Sequence, residues 1–226
     1  EIAYGVSSIV GAASSAVSVA HAISDSMVVV GVFAERAVMW TVTGERLVTG
    51  PFSLTTPGGE DPGPSEARGV NNLGQVVGWV GEDSRRPFVW SSDAGLVELD
   101  LPNDLVAGAA YGINDNGLIV GGGLPVANAP WSNGGHVVLW QVSSDNELMS
   151  SIDLCQFEGA GALGHAVNTL GIVAGTVWSA AGEEGFLWSD TQDLETFPFA
   201  AATLGMNDQN SVVGQWFGRA AIWAGG

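Results

Sequence analysis

Apolar and polar positions alternate along this chain in short runs, and the runs recur as one ten-residue phrase used five times. The phrase reads Gly/Ala–apolar–Asn/Ser–x–x–Gly–x–apolar–apolar–Gly, with copies beginning at Ala22, Gly69, Gly112, Ala166 and Gly205. An aromatic or aliphatic run ending in tryptophan follows each copy, at Trp40, Trp90, Trp140, Trp188 and Trp223. Such alternation, bounded by Gly and Asn, predicts half-buried strands joined by tight turns. In the third copy residues 110–113 read as a strand, and Asn114-Asp115-Asn116-Gly117 as a hairpin turn with Gly where the backbone must be left-handed. Residues 118–120 return, Gly121 permits a bend or bulge, residues 136–140 form a third strand, and a fourth follows over 148–154. Fourth strands are also expected over 46–54, 96–101 and 194–197. Met27 and Asn210 stand where the turn Gly belongs. Asn tolerates the left-handed region and Met does so poorly, so the first turn is expected to be altered.

Four short antiparallel strands per repeat make one blade, and blades hide their edges by packing around a ring. The turn positions 24, 71, 114, 168 and 207 are separated by 47, 43, 54 and 39 residues. The 19 residues after position 207 and the first 24 of the chain make a further step of 43, an ordinary repeat length. This spacing predicts an all-β, five-bladed β-propeller of four-stranded antiparallel blades, occupying residues 1–226 as a single domain. Its repeats start near 20, 67, 110, 164 and 203. The last copy lacks an outer strand, and residues 1–10 are expected to supply it and so close the ring. An open solenoid is the rival architecture.

These phrases resemble the HAF family of bacterial extracellular repeats, whose units read approximately Ala-x-Gly-Ile-Asn-x-x-Gly-x-Val-Val-Gly and then Ala-Phe-x-Trp. The likeness is carried by residues 110–121 and by Pro87-Phe88-Val89-Trp90, and extends from about Ala20 to Trp223. The second and third copies match best; the first departs at Ser24 and Met27 and the fifth at Asn210. The resemblance implies a secreted or cell-surface β protein and carries no catalytic residues over. In shape alone, five blades in a chain of this length are also similar to small five-bladed lectins.

Charge narrows the function. The chain carries 24 acidic residues against six Lys and Arg, for a formal net charge of −18. Such a surface repels phosphate backbones and anionic membranes, so neither nucleic acid nor membrane insertion is expected. No apolar run approaches the roughly 20 residues that span a bilayer. The one cysteine, Cys155, excludes an intrachain disulfide. The apolar stretch from Val6 to Ala22, ending Ala20-His21-Ala22, mimics a signal-peptidase site but lacks a basic start.

Four tryptophans fall outside the repeat register. Trp79, Trp131, Trp178 and Trp216 lie between second and third strands, at or beyond the bend glycine, and Phe33 stands at the corresponding place in the first repeat. They are candidates for platforms on which sugar rings stack; the alternative is that they cover blade edges or extend the inter-blade core. The residue preceding each phrase is His21, Arg68, Tyr111, His165 or Leu204. Polar or aromatic in four of five copies, this position suggests ligand binding in a central channel, against the plainer reading of solvent-facing side chains. No metal site or cofactor is expected, because the histidines lack clustered partners and the Asn114–Gly117 turn lacks the ligand spacing of a calcium loop. A surface calcium ion at acidic loops such as Glu60-Asp61 or Glu82-Asp83 stays open. There is no Gly-x-Ser-x-Gly elbow, and no pair of carboxylates is singled out for glycoside hydrolysis.

The leading expectation is therefore a non-catalytic extracellular or cell-surface binding or adhesion module. Glycans are the preferred ligand class, and other cell-surface proteins are the further partners. A structural subunit that self-associates into a surface layer or filament is the second reading, and a secreted glycoside-active enzyme the third.

Overall fold

The computed structural model describes residues 16–43, 47–154, 161–180, 182–191, 194–197, 203–216 and 219–224. It contains five antiparallel sheets and, among the described residues, no helix. Blade I holds β1 (Ser18–Ile23), β2 (Val28–Phe33), β3 (Arg36–Thr43) and β4 (Leu47–Ser53). Blade II holds β5 (Ser65–Val70), β6 (Val76–Val80), β7 (Arg86–Ser91) and β8 (Gly95–Glu98). Blade III holds β9 (Ala107–Ile113), β10 (Leu118–Leu124), β11 (His136–Val142) and β12 (Leu148–Asp153). Blade IV holds β13 (Gly161–Val167), β14 (Val173–Ser179), β15 (Gly182–Trp188) and β16 (Glu195–Phe197). Blade V holds β17 (Thr203–Met206), β18 (Ser211–Trp216) and β19 (Arg219–Ala224). Strand order within every sheet follows the chain.

The five sheets form a five-bladed propeller. Its closure is visible at the axis: an opening of about 180 Å³ is lined from Ser24 and Asp25 through Asn72, Asp115 and Thr169 to Asp208, so every blade contributes. Residues 1–10, expected to complete blade V, lie outside the described residues.

Alternation along each strand places one set of side chains toward the preceding blade and the other toward the next. Val30, Ala37 and Leu54 of blade I pack with Ala67, Val76 and Phe88 of blade II. Val77 and Val89 then meet Ala110, Ile119 and Trp140 of blade III, and Val120 and Leu139 meet Ala162, Val173 and Phe186 of blade IV. Trp90, Trp140, Trp188 and Trp223 join the core on the side of the preceding blade, and Trp40 packs with Val29 and Val38 of its own blade. Trp40 and Trp140 are buried, and Trp223 stacks on Phe197 of blade IV with ring centres 5.1 Å apart. Burying an indole contributes about 2–3 kcal/mol, which explains why each blade ends its third strand with one.

Each polar letter of the phrase has a physical task. The Asn114 side chain accepts the amide N–H groups of Asn116 and Leu118, and its Nδ2 donates to the Asn168 carbonyl of the next blade at 2.8 Å. Asn71 likewise accepts from Leu73 and Gln75 and donates to the Asn114 carbonyl at 3.1 Å. One amide thus folds its own turn and ties two blades together. Serine has no amide to donate; blades I and II are joined by a second tie of the series, the Asp25 N–H donating to Asn72 Oδ1 at 2.8 Å as the Asn72 N–H donates to Asp115 Oδ1 between blades II and III. Between blades IV and V, Asn168 donates to Oδ1 of Asn210, the residue replacing the turn Gly.

The expected alteration of the first turn does not occur. Met27 adopts φ 62°, beside φ 75° at Gly117 and 80° at Gly74. Its N–H still donates to the Ser24 carbonyl, as the Gly117 N–H does to Asn114. The pairing of β1 with β2 holds the methionine in a region it disfavours.

Candidate functional site

The first strand of every blade, the one nearest the axis, carries a bulge, and the bulged residues are His21, Arg68, Tyr111, His165 and Leu204. These are the five residues that precede the phrase. They sit within the strands, not at their starts as the sequence suggested. The bend glycine belongs to the same device: it pairs across from the bulge, and a methyl at Gly31, Gly78, Gly121 or Gly175 would overlap a carbonyl of the innermost strand. Glycine there lets the strand kink, and the kink re-aims one side chain per blade.

Four of these five side chains come together. The Arg68 guanidinium lies over the Tyr111 ring at 5.6 Å, and the His165 ring meets the Tyr111 edge at 5.8 Å between centres. Glu66 accepts an ion pair from Arg68 at 3.0 Å and a second from His21 of blade I. Leu204 stands apart, largely exposed. Burial, with help from the Arg68 charge, pulls His165 down to about 4, so its imidazole is neutral at physiological pH. Burial and then Arg68 also lower His21, against the opposing pull of Glu66. Burial raises the Tyr111 phenol, which stays protonated and serves as a neutral hydrogen-bonding group.

The aromatic set divides. Second strands run from the phrase turns toward the opposite end of the ring, so Phe33, Trp79, Trp178 and Trp216 all end up at that mouth, but inside strands β2, β6, β14 and β18. Only Trp131 lies in a connecting loop. Counted from the bend glycine only Phe33 and Trp216 share a register, so the five do not form a ring of equivalent platforms. Phe33 is half-buried against the blade I cluster of Val29, Val38 and Trp40. Trp178 pairs across Gly161 and Glu183 and is half-buried, and Trp216 is exposed on blade V beside Arg219.

Trp79 and Trp131 belong with the axial group. Trp131 lies against the backbones of Gly122, Gly135 and Gly161 and meets the Tyr111 ring edge-on at 6.4 Å. The Arg85 guanidinium lies over the Trp79 ring at 4.3 Å. Between them, at the top of blades II and III, is an open cavity of about 160 Å³ lined by Arg85, Ala107, Gly108, Leu124, Asn128 and Trp131. Arg68 Nε, Trp79 Nε1 and His165 Nε2 are buried with no hydrogen-bond partner among the described residues. Buried polar atoms are normally paired, so these three are exceptions, and none of them belongs to a residue lining the cavity.

Sequence reasoning missed Glu66 and Arg85. Glu66 could have been found by counting two residues back from Arg68, because the bulge puts both on one side of the strand. Arg85 carried no signal beyond being one of six cations. The histidines that lacked partners in sequence acquire carboxylates in space: Glu66 for His21, and Asp153 for His136 at 2.8 Å. Among the described residues no group of three or more His, Cys, Asp or Glu side chains is placed to hold a metal ion. Asp61, read as solvated, pairs with Arg36 at 2.9 Å on the surface.

No family model matches the chain, and no curated protein matches its sequence.

Proposed function

We propose that this propeller is a non-catalytic binding module, acting outside the cell, that takes a glycan at the mouth of the ring. The observation that carries this reading is the cavity edged by Trp131 and by Arg85, whose guanidinium is held over the Trp79 ring. A flat indole beside amide and guanidinium donors suits the C–H faces and hydroxyls of a sugar ring, and fixed aromatic groups lose little entropy on binding. The extracellular setting rests on the motif resemblance to HAF repeats. A glycan array with Trp79→Ala and Trp131→Ala variants tests the reading. Loss of signal in both supports it, and binding unchanged by both substitutions ends it.

A structural subunit is the second reading, favoured by the exposed apolar side chains of blade V, where Val213, Trp216 and Ile222 all face outward. Light scattering across a concentration series separates the two: growth in mass with concentration supports assembly, and a constant monomer removes it.

A further inference from the structure

Charge at the mouth runs against the rest of the molecule. The chain has 24 acidic residues, yet none lines the cavity between blades II and III, whose one charged lining group is Arg85. Arg36, Arg68 and Arg86 are each paired with a carboxylate: Asp61, Glu66 and Glu98 respectively. Arg85 makes no ion pair among the described residues. Its guanidinium is instead held flat over Trp79, which fixes the plane of the fork and leaves its edge N–H groups uncommitted. The backbone beneath it is also held, since the Arg85 carbonyl accepts the Gly108 N–H at 2.7 Å. Arg85 is therefore a preorganised, unneutralised cation at the rim of a small cavity.

A planar guanidinium with free edge donors matches a carboxylate in a bidentate manner. The cavity has room for roughly five waters, on the scale of one sugar ring and not of a folded partner. Asn128, held in the left-handed region at φ 59°, adds an amide on the opposite rim for hydroxyls. We infer that the ligand carries a carboxylate, and that the module selects acidic sugars, uronate residues in a glycan, over their neutral counterparts. This rests on the glycan reading above and adds to it the group that decides between ligands. The surrounding negative surface makes the selection stringent: an acidic glycan is repelled everywhere except where Arg85 receives it.

The test is titration of the full chain, followed by tryptophan emission, with matched pairs of glucuronate and glucose oligosaccharides and of galacturonate and galactose oligosaccharides. In the unaltered protein the uronate member binds roughly tenfold or more tightly than the neutral one, and the advantage shrinks as salt rises. Arg85→Gln, at an exposed side chain, abolishes the advantage, so that both members of each pair bind with equal affinity, and Arg85→Glu reverses it. Equal affinity of the unaltered protein for both members of each pair, or a preference that survives Arg85→Gln, overturns the inference and leaves the glycan reading standing. Neutral and acidic sugars both failing to bind, or both binding normally to Trp131→Ala, removes the glycan reading and this inference with it.

Discussion

Replacing Asn114 with alanine deletes the amide that builds the blade III turn and fastens it to blade IV. Three hydrogen bonds are lost: those to the N–H groups of Asn116 and Leu118, each 3.0 Å, and that to the Asn168 carbonyl, 2.8 Å. The residue is only 6% exposed, so water reaches the abandoned groups poorly. Each net hydrogen bond contributes about 1 kcal/mol, and a buried partner left without one costs about 1–3 kcal/mol. Three bonds, two of them part-buried and one buried, set the expected loss at about 3–4 kcal/mol. Asn114→Ser, which copies the turn residue of blade I, keeps an acceptor and should recover about 1 kcal/mol of it. Asn116→Ala removes one exposed bond, to the Thr169 carbonyl, and should cost about 0.5 kcal/mol. Urea unfolding followed by tryptophan emission measures all three, with unchanged slopes confirming that the same transition is being compared. A loss below about 1 kcal/mol for Asn114→Ala, or one no larger than for Asn116→Ala, would show that apolar packing alone joins the blades.

Other outcomes follow from single features. Gly121→Ala, whose methyl would overlap the Ala109 carbonyl opposite the bulge, should cost about 3 kcal/mol in the same assay, whereas Gly58→Ala, whose methyl would meet only side-chain atoms at ordinary van der Waals distance, should be nearly neutral. Met27→Gly relieves a left-handed methionine that is half exposed and should raise stability by about 1 kcal/mol; a decrease would mean that the side chain packs productively. His165 is held at about 4 in the fold against 6.5 unfolded, so as pH falls the unfolded chain takes up the proton first. The resulting stability is complete above about pH 6.5 and is lost as pH falls toward about 4. The stability difference between the unaltered protein and His165→Gln should therefore shrink by about 2.5 kcal/mol between about pH 7.5 and about pH 4.5. A difference independent of pH would mean that the imidazole is solvated.

Local chemistry alone determined the architecture. A turn that needs Asn and Gly, a strand that ends in tryptophan and a spacing of one blade each leave marks at fixed offsets, and five of them at near-equal steps are enough to count blades. The residue before each phrase could also be singled out, because repetition marks a position even when its role is hidden. What repetition could not say is why the bend glycine and that residue go together. The answer is a carbonyl on the neighbouring strand, visible only once the two strands are paired. The out-of-register tryptophans looked equivalent because sequence records order and not register; one residue of slip turns a side chain to the other face of its sheet. Trp79 therefore carries Arg85 upon its ring, while Phe33 packs against the blade I core. Glu66 and His165 owe their electrostatic roles to blades that lie far apart in the chain and meet at the axis. Charge pairing and desolvation act through space over a few ångströms, so folding of the ring, and not the order of residues, decided which carboxylates met an arginine and which imidazole was held neutral.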